Sequence, residues 1–149
     1  MTEMTVVTWQ EIELLTEKLL SQIKNFELDA TGKWIEPFDG IVGLTRGGLI
    51  PAIILSHKLG LPVMALNYSS KSGQGDKHHC NQIPSWFSEG RWIVVDDIVD
   101  SGYTFKELAM RSLNSRFACL HHRHSSTYSP DYSSLLVVGD SWIQYPWEK

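Results

Sequence analysis

Very little in this chain could staple or anchor it. Of its 149 residues only two are cysteines, Cys80 and Cys119, too few for a disulfide framework and in keeping with a reducing compartment. No apolar run approaches the ~18 residues of a membrane-spanning helix, so no stable membrane insertion is expected. Positive charge is scarce. Thirteen Lys and Arg against seventeen Asp and Glu leave a formal net charge of −4, which argues against nonspecific binding to nucleic acid or an anionic membrane. The N-terminal stretch carries Glu3, Glu11 and Glu13 instead of the basic-then-apolar pattern of a secretory signal, so a cytoplasmic location is expected. Internal repeats and linker-like stretches are missing too, and a single domain over residues 1–149 is expected. What is present is ordinary for a globular domain with one buried core: 42% hydrophobic and 20% charged residues.

Periodicity divides the chain into alternating elements. Thr8 and Glu11 form a capping-box pattern with Val7 as a staple, and Ile12, Leu15, Leu19 and Ile23 recur at helical spacing, predicting a helix over roughly 9–25. A loop over 29–37 is followed by a strand over 39–44, the tight turn Thr45-Arg46-Gly47-Gly48 and a mostly apolar helix over 49–59. A strand over 63–68 precedes residues 69–90, which show no sustained period. So long a loop in a small domain is usually functional or mobile. Strands over 93–95, 117–122 and 135–138 and a helix over 105–113 complete the pattern. Strands alternating with helices predict an α/β fold with a mostly parallel sheet.

Residues 92–104, Trp-Ile-Val-Val-Asp-Asp-Ile-Val-Asp-Ser-Gly-Tyr-Thr, are the most informative stretch. The β-branched run Ile93–Val95 suits a central parallel strand, and Asp96 and Asp97 are expected where it ends, the edge at which open α/β sheets bind ligands. Ser101, Gly102, Tyr103 and Thr104 then offer successive backbone N–H groups at the start of a helix, a ready cradle for phosphate. Three carboxylates within five positions repel one another unless a cation or polyol lies among them. Earlier, Arg46, Gly47 and Gly48 combine a cation with backbone that an anion can approach closely.

Two hydrophobics, two acids, two hydrophobics and Asp-(Ser/Thr)-Gly-x-Thr resemble the diphosphoribose signature of the type I phosphoribosyltransferases. The resemblance implies their fold, a central mostly parallel sheet flanked by helices with a small hood made by the N- and C-terminal segments. It also implies a pyrophosphate loop at Thr45–Gly48 with a cis Thr45–Arg46 bond, and a catalytic loop over about 69–90 that shields the reactive ribose from water. At the start of that loop and within it, Tyr68, Ser69, Ser70, Lys71, Lys77, His78 and His79 are the polar candidates, and Lys71 is expected to contact pyrophosphate. Residues 140–148, Asp-Ser-Trp-Ile-Gln-Tyr-Pro-Trp-Glu, look like the ending of bacterial xanthine-guanine and related hypoxanthine enzymes. In a hood over about 123–149, Trp142 would then stack on a purine, the Ile143 carbonyl would accept from an exocyclic amine, and Trp147 would pack. Arg123 falls where that family carries a purine-reading lysine, and Tyr103 stands where relatives often have a smaller residue. Both are departures. The clusters His78-His79-Cys80 and Cys119-x-His121-His122-x-His124 lack the spaced pairs of a zinc site, and structural zinc is not expected.

By that resemblance the substrates are phosphoribosyl diphosphate and a 6-oxopurine, the cofactor is Mg2+ held by Asp96 and Asp97 directly or through water, and the assembly is a homodimer or homotetramer. Arg46, Gly47 and Gly48 would hold the diphosphate, Ser101 to Thr104 the 5-phosphate, and Asp100 would be the general base. A regulator that senses phosphoribosyl diphosphate or a nucleotide on the same fold, and a transferase for another base, are the rivals.

Overall fold

The computed structural model describes residues 3–69 and 82–148. Its elements in chain order are β1 (Met4–Val6), α1 (Trp9–Glu27), β2 (Gly40–Leu44), α2 (Leu49–Leu59), β3 (Val63–Leu66), α3 (Ser85–Glu89), β4 (Trp92–Val99), α4 (Tyr103–Arg111), β5 (Arg116–Arg123), β6 (Tyr132–Val137) and β7 (Trp142–Gln144). β2 to β6 form one sheet in the order β3-β2-β4-β5-β6, and every pair in it is parallel. Each parallel crossover needs a connection over a face; α2, α3 and α4 lie in the connections up to β5, whereas β5 reaches β6 through a loop over 124–131.

Alternation along the strands divides the core into two layers. Ile41, Ile93, Val95, Ala118 and Leu120 face α1 and α2, where Leu19, Ile23 and Leu55 are fully buried. Val42, Val94, Phe117 and Cys119 face the other way, onto Phe87, Phe105 and Leu108. A strand buried on both faces cannot afford polar residues, which is why β4 opens as a continuous apolar run. Burying each Leu or Ile side chain contributes about 1.5–3 kcal/mol. Thr8 and Glu11 close the capping box at the start of α1 as expected.

Several elements differ from their sequence-based bounds. Residues 69–90 are not loop throughout: Ser85–Glu89 is α3, anchored by fully buried Phe87. Tyr68 belongs to the core beside α4, where its hydroxyl bonds Glu107 and burial, with that carboxylate, pushes it up to about 12. Met4–Val6 and Trp142–Gln144, not recognised as strands, form a separate two-stranded parallel sheet. This small hood from the two chain ends carries Trp142. No described helix is long and apolar enough to cross a membrane.

Candidate active site

From β2 the chain crosses one way to β3, and β4 lies on the other side of β2. That reversal leaves a crevice beyond the carboxyl ends of β2 and β4, the usual ligand site of an open α/β sheet. A cavity of about 770 Å³ opens there, lined by Arg46, Gly47, Asp97, Trp142, Trp147 and Glu148 among others. A smaller one of about 120 Å³ lies beside it against Asp96, Asp100, Ser101, Gly102 and Thr104.

The loop after β2 begins with a cis Thr45–Arg46 peptide. Gly47 is required there, because a Cβ at that position would run into the Asp97 carboxylate. The Gly48 N–H corrects its expected role. It donates to the Leu44 carbonyl at 2.9 Å, and the residue is buried, so its amide is closing the turn and is not offered to an anion. Arg46, by contrast, is exposed at the rim.

Asp96 and Asp97 do not end β4, as had been expected; the strand runs on to Val99. Pairing explains the difference. β2 accompanies β4 only as far as Val95, whereas β5 continues alongside through Val99. From Asp96 onward β4 is therefore open on the β2 side, and the acids sit at a half-finished edge. Desolvation raises the Asp96 carboxyl well above the usual range, with the Asp97 charge adding to it. Desolvation also raises Asp97, against the lowering effect of its hydrogen bonds, which include the Ile98 N–H at 2.8 Å. Among the described residues no Lys, Arg or His pairs with either acid, and no three His, Cys, Asp or Glu side chains gather as a metal set. Two oxygen donors with unmet charge fit a hard cation whose remaining ligands come from substrate and water.

The next turn is preformed. Gly102 has φ +91°, and a Cβ there would come within 2.7 Å of the Tyr128 backbone nitrogen. α4 begins at Tyr103, and Gly102, Thr104 and Phe105 at that helix start line the small cavity. The Tyr103 N–H makes only a long 3.4 Å contact with Ser101 Oγ, and the Tyr103 side chain is exposed. The Ser101 carbonyl is braced from outside by the N–H and hydroxyl of Thr127, at 2.8 and 2.9 Å.

Across the larger cavity stands the hood. The Trp142 N–H donates to Glu3 and the Gln144 carbonyl accepts from Val7, so both residues turn their backbone toward β1. Alternation leaves the N–H and carbonyl of Ile143 on the open edge, while its side chain is buried. The Trp142 ring is 60% exposed, available for stacking. Trp147 does pack, with its ring parallel to Tyr145 at 4.9 Å, and it also lines the cavity. Arg123 is buried. Its Nε donates to Asp100 Oδ1 at 2.7 Å, Nη1 to the Gly139 carbonyl at 3.0 Å and Nη2 to the Ser141 carbonyl at 3.1 Å. Lys71, with Ser70, Lys77, His78, His79 and Cys80, lies outside the described residues.

Comparison with known proteins gives the site its family. The phosphoribosyl transferase domain matches residues 5–148. The chain belongs to this family. The xanthine-guanine phosphoribosyltransferase of Gluconobacter oxydans (strain 621H) is 33% identical over 117 residues, 75% of this chain and 70% of its own. Among solved structures, a purine phosphoribosyltransferase from Pyrococcus horikoshii Ot3 superposes with a TM-score of 0.72 at 25% identity, covering 99% of this chain and 95% of that one. A hypothetical protein from Neisseria gonorrhoeae with bound ppGpp does so with a TM-score of 0.71 at 25% identity, covering 100% and 91%. Family and relatives together make this chain a phosphoribosyltransferase, a glycosyltransferase-type enzyme, and its parallel five-stranded sheet flanked by helices is the expected type I fold.

Sequence reading missed the residues that support the site from behind. Tyr145 donates its hydroxyl to the Asp97 carbonyl at 3.1 Å and meets His121 Nδ1 at 2.8 Å. Burial first, and the nearby acids second, push that phenol far up, so it stays a neutral donor. Glu148 accepts from the Tyr145 N–H at 3.3 Å and reaches the cavity wall. Only the position of these residues inside the C-terminal motif could have drawn notice to them.

Proposed function

We propose that this phosphoribosyltransferase moves ribose 5-phosphate from phosphoribosyl diphosphate to a ring nitrogen of a 6-oxopurine, releasing pyrophosphate. The observation that carries this reading is the meeting of three parts at the β2/β4 crevice. An exposed Arg46 on a glycine turn, a desolvated acid pair and an amide-lined helix start surround two adjoining cavities, with Trp142 across the larger one. The relatives named for xanthine, guanine or purines support the choice of base.

Breaking the anomeric C–O bond places positive charge on the ribose ring and negative charge on the leaving diphosphate. Arg46 and the Gly47 amide bind that diphosphate, and Lys71 would add a second cation. The amides and hydroxyls of Ser101 to Thr104 take the 5-phosphate, fixing the ribose above Asp96 and Asp97. Those two carboxylates would hold magnesium directly or through water and accept from ribose hydroxyls. Magnesium, when bound, supplies charge neutralisation for the diphosphate. Trp142 stacks on the base, and the Ile143 carbonyl takes an exocyclic N–H. Asp100 has one oxygen engaged by Arg123 and its side chain 71% exposed, so its second oxygen can accept the imidazole proton as the new C–N bond forms. A cytoplasmic setting fits the substrates. Half-exposed Ile53 on α2, with Val63 and Met64 on edge strand β3, offers an apolar surface for a homodimer or homotetramer.

A second reading is a regulator that binds phosphoribosyl diphosphate or a nucleotide without turnover, which the ppGpp-bound neighbour favours. A pyrophosphate-release assay with phosphoribosyl diphosphate, magnesium and xanthine, guanine, hypoxanthine, adenine or orotate separates the two. Release with at least one 6-oxopurine and none with orotate is expected. Tight donor binding with no release for any base would establish the regulator instead.

A further inference from the structure

Arg123 ends β5 almost wholly out of solvent, 9% exposed, yet every nitrogen of its guanidinium has an acceptor. Those acceptors belong to opposite sides of the site. Asp100 Oδ1 opens the phosphate turn, whereas the Gly139 and Ser141 carbonyls sit on the loop that leads directly into Trp142. The planar fork therefore spans the gap between the proposed general base and the purine-stacking strand. Gly139 lies at φ +95°, a bend that few other residues would adopt.

We infer that Arg123 is a positioning residue, which sets Asp100 and the Gly139–Ser141 loop relative to each other and does not itself read the purine. This rests on the transfer reading above. An exposed aspartate held by one short bond keeps its second oxygen aimed in one direction; released, the carboxylate rotates freely. The same guanidinium ties down the carbonyls that lead into Trp142, so base stacking and proton abstraction share one mechanical link. Two of the five guanidinium N–H groups are left over, so direct reading of a 6-oxo group is the rival to be separated. Lysine separates them. A single ammonium can address one oxo group, but it cannot span three acceptors fixed to a planar fork.

The test is a double-mutant cycle in kcat and in KM for the base, with Arg123→Lys, Arg123→Met, Asp100→Asn and both combinations. Far-ultraviolet circular dichroism and a cooperative urea transition check that each variant is folded. Wild-type turnover comes first, and its absence would sink the transfer reading and not this one. With Asp100 present, both Arg123 variants are expected to lower kcat by about 10- to 10²-fold. In the Asp100→Asn background the same changes should cost under about 3-fold in kcat, because coupled groups are non-additive. The base KM should rise in both backgrounds, since the loop before Trp142 is released either way. If Arg123→Met does not fold, Arg123→Lys carries the cycle alone. Full activity in Arg123→Lys, or losses that multiply in the double variants, would overturn the inference. So would an Asp100→Asn enzyme with wild-type turnover.

Discussion

The mouth formed by β2 and β4 and the hood formed by β1 and β7 face each other across one cavity, but they hold their residues differently. In the mouth, Gly47, Asp96, Asp97 and the 100–104 turn rise from central strands that are buried on both faces. In the hood, Trp142 stands 60% exposed on a three-residue strand with one partner. A site on rigid central strands suits charge that must be met at fixed distances, as diphosphate and phosphate must be. A thin sheet tethered through Arg123 and Tyr145 suits a flat base that has to enter and leave. Under the proposed transfer reading, the difference teaches that donor binding and base stacking are built on separate supports, joined where Arg123 links Asp100 to the Gly139–Ser141 loop.

The largest expected break in that separation is Asp100→Asn, because Asp100 belongs to the mouth yet is bonded to the residue that also ties down the hood. Its kcat should fall on the order of 10²-fold, measured by pyrophosphate release at saturating substrates. Trp142→Ala should act on the hood alone. Loss of base stacking, about 1–3 kcal/mol, would raise the KM for the purine about 5- to 150-fold while donor binding by calorimetry stays as in the wild type. A matching loss of donor affinity would show that the two regions are not separate.

Tyr145→Phe probes the strut between them. It removes the donor to the partly buried Asp97 carbonyl and the partner of buried His121. Stability should drop by roughly 1 kcal/mol or more, read from the urea midpoint. The smallest effect is expected from His121. Its burial lowers its pKa from the ordinary 6.5. The neutral form is therefore the one the fold accepts, and the unfolded chain takes up the proton first. Stability contributed by neutral His121 is complete above 6.5 and is lost as pH falls toward the lowered folded value. Asp96 and Asp97, being raised, act in the opposite direction, and do so in both proteins. Between about pH 7.5 and 5.5 the wild-type urea midpoint should fall more than that of His121→Asn, a difference that removes the common carboxylate effect.

These supports also mark where the sequence could be read and where it could not. The β4–α4 turn was legible because its logic is local: apolar run, acids, glycine and helix start follow one another along the chain. The extension of β4 past the acids was not, because it depends on β5 continuing where β2 stops. α3 escaped notice as five residues in a stretch with no period, although Phe87 anchors it. The hood strands are three residues each and pair the two ends of the chain, Met4 with Trp142, beyond the reach of any windowed pattern. The Gly48 amide, expected at an anion, is spent on Leu44 because the turn must close before α2 can start. Arg123 was found by its distance before the C-terminal motif at 140–148. Its three acceptors depend on how the Gly139–Ser141 loop folds back, which no spacing reports.

Donor binding at the acid pair tests the central claim most directly. Isothermal titration of the wild type with phosphoribosyl diphosphate and magnesium should show one site per chain, and Asp96→Asn/Asp97→Asn should abolish it while the protein stays folded. Undiminished binding in that double variant, or none in the wild type, would contradict a sugar-diphosphate site at the β2/β4 crevice.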